Sequence, residues 1–364
     1  MAASESPQPL SLQRYEVGQR LELEVEGQLD SVTSSITVEV MRLQSPNTLS
    51  SSLVVKILEA PNKEQTGTYV FLKSYDRRFA DQVRKNDGIV SWNEVVENSC
   101  LEFAMDGKEE EFLQRVHNDR ALGILPKRED WTVAEKEAFL AYELHEVYEK
   151  ERALYGVLQK YQGEVFPLLF AAVTRNIMPT SASHSKPAKL YQIKGLLLQY
   201  LDGFSLTTMA GQVPRLAWQG IFDQAIRIAR ILSDNNIVNR EVRLENYTIV
   251  PRGQAVYQVF MINLAQCRLR WEDESDTHWG VAKCDENEEG FIGNKMQEIL
   301  GKERFVLNFE HSGRYSDFVQ KEDDKYTEED VKGFVKEYAK RYIEKSLKKA
   351  KEDPMKNGTE EKDE

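Results

Sequence analysis

Between Tyr15 and Leu58 the chain alternates apolar and polar residues with period two, in LELEVEGQL, then SITVEVMRL, then SLVVKIL. Successive side chains of a strand point to opposite faces, so this pattern buries one face only if the segments are strands. Val, Ile and Leu suit such a pleated, half-buried surface. TYVFLKSY (68–75) extends the same sheet. The chain must therefore open with antiparallel strands.

Beyond Tyr75 the pattern turns helical. Residues 108–120 and 131–160 are rich in Glu, Lys, Leu and Ala, and the second stretch places Phe139, Leu140, Leu144, Val147 and Tyr148 at helical spacing. VFPLLFAAV (165–173) and KLYQIKGLLLQYL (189–201) return to strand character, separated by the loop MPTSASHSKPA. Ser205 is placed to cap a short helix. From Arg215 to Leu232, Ile221, Phe222, Ala225, Ile228, Ala229 and Leu232 define an amphipathic helix. YTIV (247–250) and VYQVFMINL (256–264) read as a strand pair turned at Pro251-Arg252-Gly253. Thr327-Glu-Glu-Asp330 is a capping box opening a helix over 327–347, with Val331, Phe334, Val335 and Tyr338 on its apolar face. The fold class this predicts is α+β.

Composition excludes several functions. Hydrophobic residues are 41 % and charged residues 30 %, enough for a sizeable core. The net charge of -12 argues against nucleic acid and anionic membranes as general partners, because both want positive surface. No stretch reaches the ~20 apolar residues of a membrane helix, and the start carries no secretory pattern. The cytoplasm is the expected compartment, with the nucleus the other one open to such a chain. Three cysteines (Cys100, Cys267, Cys284) and five scattered histidines imply neither a disulfide framework nor zinc.

One set of residues carries chemistry. Phosphoryl transfer needs a lysine on the phosphates, a glutamate fixing that lysine, an acid and an amide on the metal, and a base at the acceptor hydroxyl. Lys73 ends VFLK, as the strand lysine ends V-A-I-K. Glu151 lies in the helical stretch after it, with Tyr155 one turn later. NREVRLENYTIV (239–250) aligns with H-R-D-L-x-x-x-N before a strand, putting Glu241 at the base position and Asn246 at the metal-binding amide. Asn263-Leu264-Ala265 then stands where D-F-G belongs.

Five segments, FLKSYDRRFADQVR, EKERALYGVLQKYQG, LLLQYLDGFSL, NREVRLENYTIV and FMINLAQCRLR, together resemble the fungal protein-kinase-like family over roughly residues 12 to 320. The resemblance implies a two-lobed kinase-like fold: an antiparallel N-lobe sheet over 12–201 with a helical insertion about 85–135, and a mainly helical C-lobe over 202–347. Residues 1–11 and the charged tail 348–364 are expected to be disordered. It implies a nucleotide cleft with ATP as cofactor, and a hinge at Gln199-Tyr200-Leu201. Lys73, Gln199, Leu201 and Asn246 would be the nucleotide contacts, Glu241, Lys73 and Glu151 the catalytic positions, and Asn246 and Asn263 the metal positions.

The motifs also depart from that pattern. Glu241 replaces an aspartate, moving the carboxylate by one methylene, and a misplacement of ~1 Å can cost ~10²-fold in rate. Asn263 offers a neutral amide where Mg²⁺ prefers a carboxylate. The turn QSPNTLSSSLVV (44–55) has no glycine to bring backbone amides against phosphates. No A-P-E-like segment comes after Ala265. These losses predict a pseudokinase, a non-catalytic binding or scaffold/regulatory protein that holds a protein partner, with weak or no Mg-ATP binding. The alternative is a slow ATP-dependent phosphotransferase acting on a protein or small molecule, with Glu241 as base and Asn246 plus phosphates holding Mg²⁺.

Overall fold

A computed structural model describes residues 10–26, 34–44, 49–122, 124, 128–178 and 188–318. The 327–347 helix and the 348–364 tail therefore lie outside the described residues, as do residues 45–48 of the serine-rich turn. Leu10 and Ser11, at the edge of the segment expected to be disordered, form a 3₁₀ turn with Leu12 in which Ser11 is buried.

The strands form where the alternation placed them. They are β1 (Arg20–Val25), β2 (Ser35–Gln44), β3 (Ser51–Glu59) and β4 (Tyr69–Tyr75). The helices α1 (Asp81–Asn86), α2 (Glu94–Met105) and α3 (Lys108–Ala121) come next, and then α4 (Val133–Val157). Thr132 caps α4 through a box in which its hydroxyl accepts from Glu135 N and the Glu135 carboxylate accepts from Thr132 N. Strands β5 (Leu169–Asn176) and β6 (Gln192–Gln199) complete the first half.

These six strands do not make the open N-lobe sheet of a two-lobed kinase-like fold. They close into a barrel in the order β1-β2-β3-β4-β6-β5. Closure comes from β1, whose Glu24 and Val25 pair antiparallel with Thr174 and Val173 of β5. Register shifts in β2 between Thr37 and Val38 and between Val40 and Arg42, and in β5 between Leu169 and Ala171, bend the sheet enough for its edges to meet. The two-lobed expectation is overturned on this point, and mixed α+β architecture is what remains of it.

The second half begins after Gly203, where a Cβ would collide with the carbonyl oxygen of Ile249. The short β7 (Phe204–Ser205) precedes a 3₁₀ turn capped by Ser205, then α5 (Met209–Gln212) and α6 (Trp218–Asp234). Next come β8 (Ile237–Asn239), β9 (Tyr247–Pro251), β10 (Tyr257–Met261) and β11 (Cys267–Leu269), then α7 (Asp276–Glu286) and α8 (Glu288–Lys302). β10, β9 and β7 form one small sheet, and β11 pairs with β8.

Two hydrophobic cores result. One fills the barrel with Leu21, Val38, Val55, Leu72, Val173 and Leu197 and extends to α2 and α3. The other surrounds α6 with Ile221, Phe222, Ile228, Leu232, Met261 and Met296. Helix α4 belongs to both, giving Ala138, Phe139 and Tyr142 to the first and Leu144, Tyr148, Leu154 and Tyr155 to the second. It thus fixes the barrel against the helical half. No described helix is long and apolar enough to cross a membrane.

Candidate functional site

Strand β4 sorts its side chains by the pleat. Val70 and Leu72 enter the barrel core, whereas Phe71 and Tyr75 join the core beside α4. Lys73 lies on the Phe71 and Tyr75 face, one residue from each barrel-facing neighbour. It is 7 % exposed and would be costly to bury unpaired. Glu151 of α4, wholly buried, meets it: Lys73 Nζ donates to Glu151 Oε1 at 2.9 Å and Oε2 at 2.7 Å. The lysine–glutamate pair expected from motif order is therefore formed.

Glu151 has further donors. Tyr75 donates its hydroxyl to Oε2, and Leu264 N donates to Oε1 at 3.3 Å. Burial, and then the Glu151 charge beside it, push the Tyr75 phenol well above its usual pKa, so it stays a donor. Tyr75 carries a role that motif order does not assign, although period two already places it on the face of Lys73. Tyr155, one turn beyond Glu151, has no hydrogen-bond partner for its buried hydroxyl among the described residues.

The short strands bring the remaining polar residues together. Lys73 Nζ also donates to Asn263 Oδ1 at 2.9 Å. An ammonium only donates, so this contact fixes which end of the Asn263 amide is oxygen. Asn263 Oδ1 accepts in addition from Ala265 N at 3.2 Å. The amide nitrogen then faces Glu241 Oε2 at 3.5 Å and Asn246 Oδ1 at 3.4 Å, both long contacts. Asn246 holds the loop by donating to the carbonyl of Glu241 at 3.1 Å, and Arg243 pairs with Glu241 at 3.2 Å. Lys73, Glu151, Asn263, Asn246 and Glu241 thus form one connected cluster.

The loop that carries Glu241 is anchored from below. Asn239 Oδ1 accepts from Glu241 N at 3.0 Å, and Asn239 N donates to Glu288 Oε1 at 2.6 Å. Glu288 also meets Lys283, which donates to the carbonyl of Ile237 at 3.1 Å. Burial moves this pair toward neutrality, raising the glutamate and lowering the lysine.

Gln199 and Leu201 sit apart from the cluster. Gln199 ends β6 opposite Val70, its N–H donates to the carbonyl of Leu168 at 2.8 Å, and its side-chain oxygen accepts from Leu168 N at 3.3 Å. Tyr200 accepts a hydrogen bond from Arg42 at 3.1 Å. Leu201 comes next, half-buried.

Among the described residues, no group of three or more His, Cys, Asp or Glu side chains is arranged to hold a metal ion. Of the acids in the cluster, Glu151 is committed to Lys73, which leaves Glu241. No protein-family model matches the chain, and no curated protein matches it in sequence.

Proposed function

We propose that this chain is a non-catalytic binding protein, a pseudokinase in the functional sense, derived from the protein-kinase-like family its motifs resemble. Its role is to hold a protein partner, and its phosphoryl-transfer residues now serve to hold structure. The observation that carries this reading is the saturation of Lys73. An ammonium has three N–H donors. Two go to Glu151, at 2.9 and 2.7 Å, and the third goes to Asn263 Oδ1 at 2.9 Å. A phosphate would have to displace Asn263 to reach the lysine.

The metal position supports the same reading. Asn263 turns its N–H₂ toward Glu241 and Asn246, so a cation placed there would meet amide hydrogens rather than a carboxylate. Mg²⁺ is held by oxygen ligands with near-octahedral geometry. At the hinge, the Gln199 N–H and side-chain oxygen are already spent on Leu168. ATP therefore binds weakly and almost independently of Mg²⁺. A slow phosphotransferase is the second reading, and the observation that favours it is the assembled Lys73–Glu151 pair next to Glu241 and Asn246.

Thermal-shift titration with ATP, with and without Mg²⁺, tests this on the parent and on the double variant Asn263→Asp, Glu241→Asp. The parent should shift by about 1 °C or less at millimolar ATP, with or without metal. The double variant should gain a Mg²⁺-dependent shift. A large Mg²⁺-dependent shift in the parent, with phosphate release, would overturn the proposal in favour of the enzyme.

A further inference from the structure

We propose that residues 327–347 of this chain dock in cis on the surface formed by α7 and the loop at Trp271, as an intramolecular cover held by charge. The segment stands apart from the rest of the sequence. Over 331–351 it carries eight Lys and Arg to two Glu, in a chain whose net charge is -12. On a helix, Val331, Phe334, Val335 and Tyr338 share one face, and Lys332, Lys336 and Lys340 run in a row beside it. A basic amphipathic helix is complementary to an acidic surface that offers an apolar anchor.

The described chain ends at such a surface. Beyond α8 it runs back along α6: Arg215 donates to the carbonyls of Glu303 and Arg304 at 2.8 and 2.6 Å, Phe309 packs edge-on against Phe222, and Arg314 pairs with Asp234 at 2.5 Å. It then reaches α7, where the ring of Phe318, the last described residue, lies so close to Gly280 that a Cβ there would sit 2.4 Å from it. Trp279, next to Gly280, has the Arg268 guanidinium 5.4 Å from its ring centre, and Trp271 has the same guanidinium at 4.4 Å. Trp271 is 37 % exposed. Around it, residues 268–278 carry four acids, Glu272, Asp273, Glu274 and Asp276, to two arginines. Both arginines are already paired, Arg268 with Glu274 at 2.7 Å and Arg270 with Asp276 at 2.5 Å. The loop therefore keeps a negative surplus beside an exposed aromatic ring, and Glu272, Asp273 and Asp276 are all exposed.

The connection is long enough and short enough. Twelve residues, 319–330, separate Phe318 from Val331, and they span up to ~40 Å when extended. A tether of that length holds the segment near α7 at about millimolar effective concentration, so a modest contact suffices to dock it. What it covers adjoins the candidate site. Strand β11 starts two residues after Ala265 and pairs with β8, whose Asn239 accepts from Glu241 N, and the Trp271 loop continues that strand outward. The inference stands whether or not the Lys73 cluster takes a nucleotide.

The experiment is amide hydrogen exchange, read by mass spectrometry, on the full chain at about 50 mM and about 500 mM sodium chloride. A helix of this length is marginal on its own in water, so slow exchange there reports docking. Amides of 331–347 should exchange about tenfold more slowly at low salt than at high salt. In the double variant Glu272→Lys, Asp273→Lys that slowing should vanish, and in Trp271→Ser it should fall severalfold. Equally fast exchange of 331–347 at both salt concentrations, or a slowing that survives the charge reversal, would overturn the docking. A slowing that grows with protein concentration would also overturn it, because the occupant would then be a second copy. If Trp271→Ser disturbs α7, the charge reversal, which changes two exposed side chains, decides.

Discussion

Helix α4 is gripped at two places by the same region of chain, and the two grips are built differently. Near its N-terminus, Glu137 accepts from Arg77 at 2.8 Å and from both terminal nitrogens of Arg84 at 2.6 and 2.7 Å. Arg77 reaches on to Glu97, which also accepts from Trp92. Two arginines and two glutamates balance, and every one of them is buried. Fourteen residues along, about 21 Å of helix, Glu151 takes Lys73 instead. That second grip opens onto Asn263, Asn246 and Glu241, which are only half-buried. One carboxylate is sealed among forked guanidiniums, and the other sits on a rearrangeable point charge beside polar amides. A sealed network fixes position. A site that must exchange a partner needs the second kind of construction.

Breaking the sealed end should have the largest effect. Glu137→Gln leaves Arg77 and Arg84 without their shared carboxylate in a dry site, and stability measured by urea unfolding should fall by ~3–5 kcal/mol. At the other end, Lys73→Met should cost less, ~2 kcal/mol, because Tyr75 and Leu264 N still donate to Glu151. The double variant should be additive, since the grips share no partner. A cost for Lys73→Met equal to that for Glu137→Gln would show that both ends are equally structural.

His145 lies between the two grips and sharpens the comparison through pH. Its ring meets the carbonyl of Gln192 at 2.7 Å, and burial lowers its pKa from 6.5 to about 4. The unfolded chain therefore takes up a proton near pH 6.5 that the folded chain refuses until about pH 4. This contribution is intact above pH ~6.5 and is lost as pH falls through that window. Between about pH 7 and pH 5, His145→Gln should remove about 2 kcal/mol of the loss in stability. An unchanged acid slope in that variant would place the sensitivity elsewhere.

Much of this arrangement is legible in the sequence because it is local. Period two sets the faces of β4, and with them the side on which Lys73 and Tyr75 meet α4. The turn at Pro251-Arg252-Gly253 pairs β9 with β10 as its residues predict. Barrel closure is not legible, because no local pattern marks that the edges at Val25 and Val173 meet. The turn of the Asn263 amide toward Lys73 is equally hidden. Sequence places an amide at Asn263 but does not show that its oxygen accepts the lysine's third N–H. Arg77 and Arg84 lie inside the segment FLKSYDRRFADQVR, yet their partner Glu137 lies beyond the helical insertion.

The seam of the barrel has a kinetic consequence. Its closing contacts join Glu24 to Thr174 and Val25 to Val173, so a segment as long as a small domain must be ordered before they can form. Loop closure of that length costs entropy, repaid at the seam by these two pairs, by the Glu26 N–H donating to the Ala172 carbonyl at 2.9 Å, and by Thr174 and Lys194 donating to the Glu26 carboxylate. The hairpins β1–β2, β2–β3 and β3–β4 involve close neighbours and form without it. The barrel is therefore zipped shut last, after α4 has brought β5 back to the sheet. The first strand waits at an unpaired edge until then, and during synthesis that edge is the part of this chain most exposed to pairing with another.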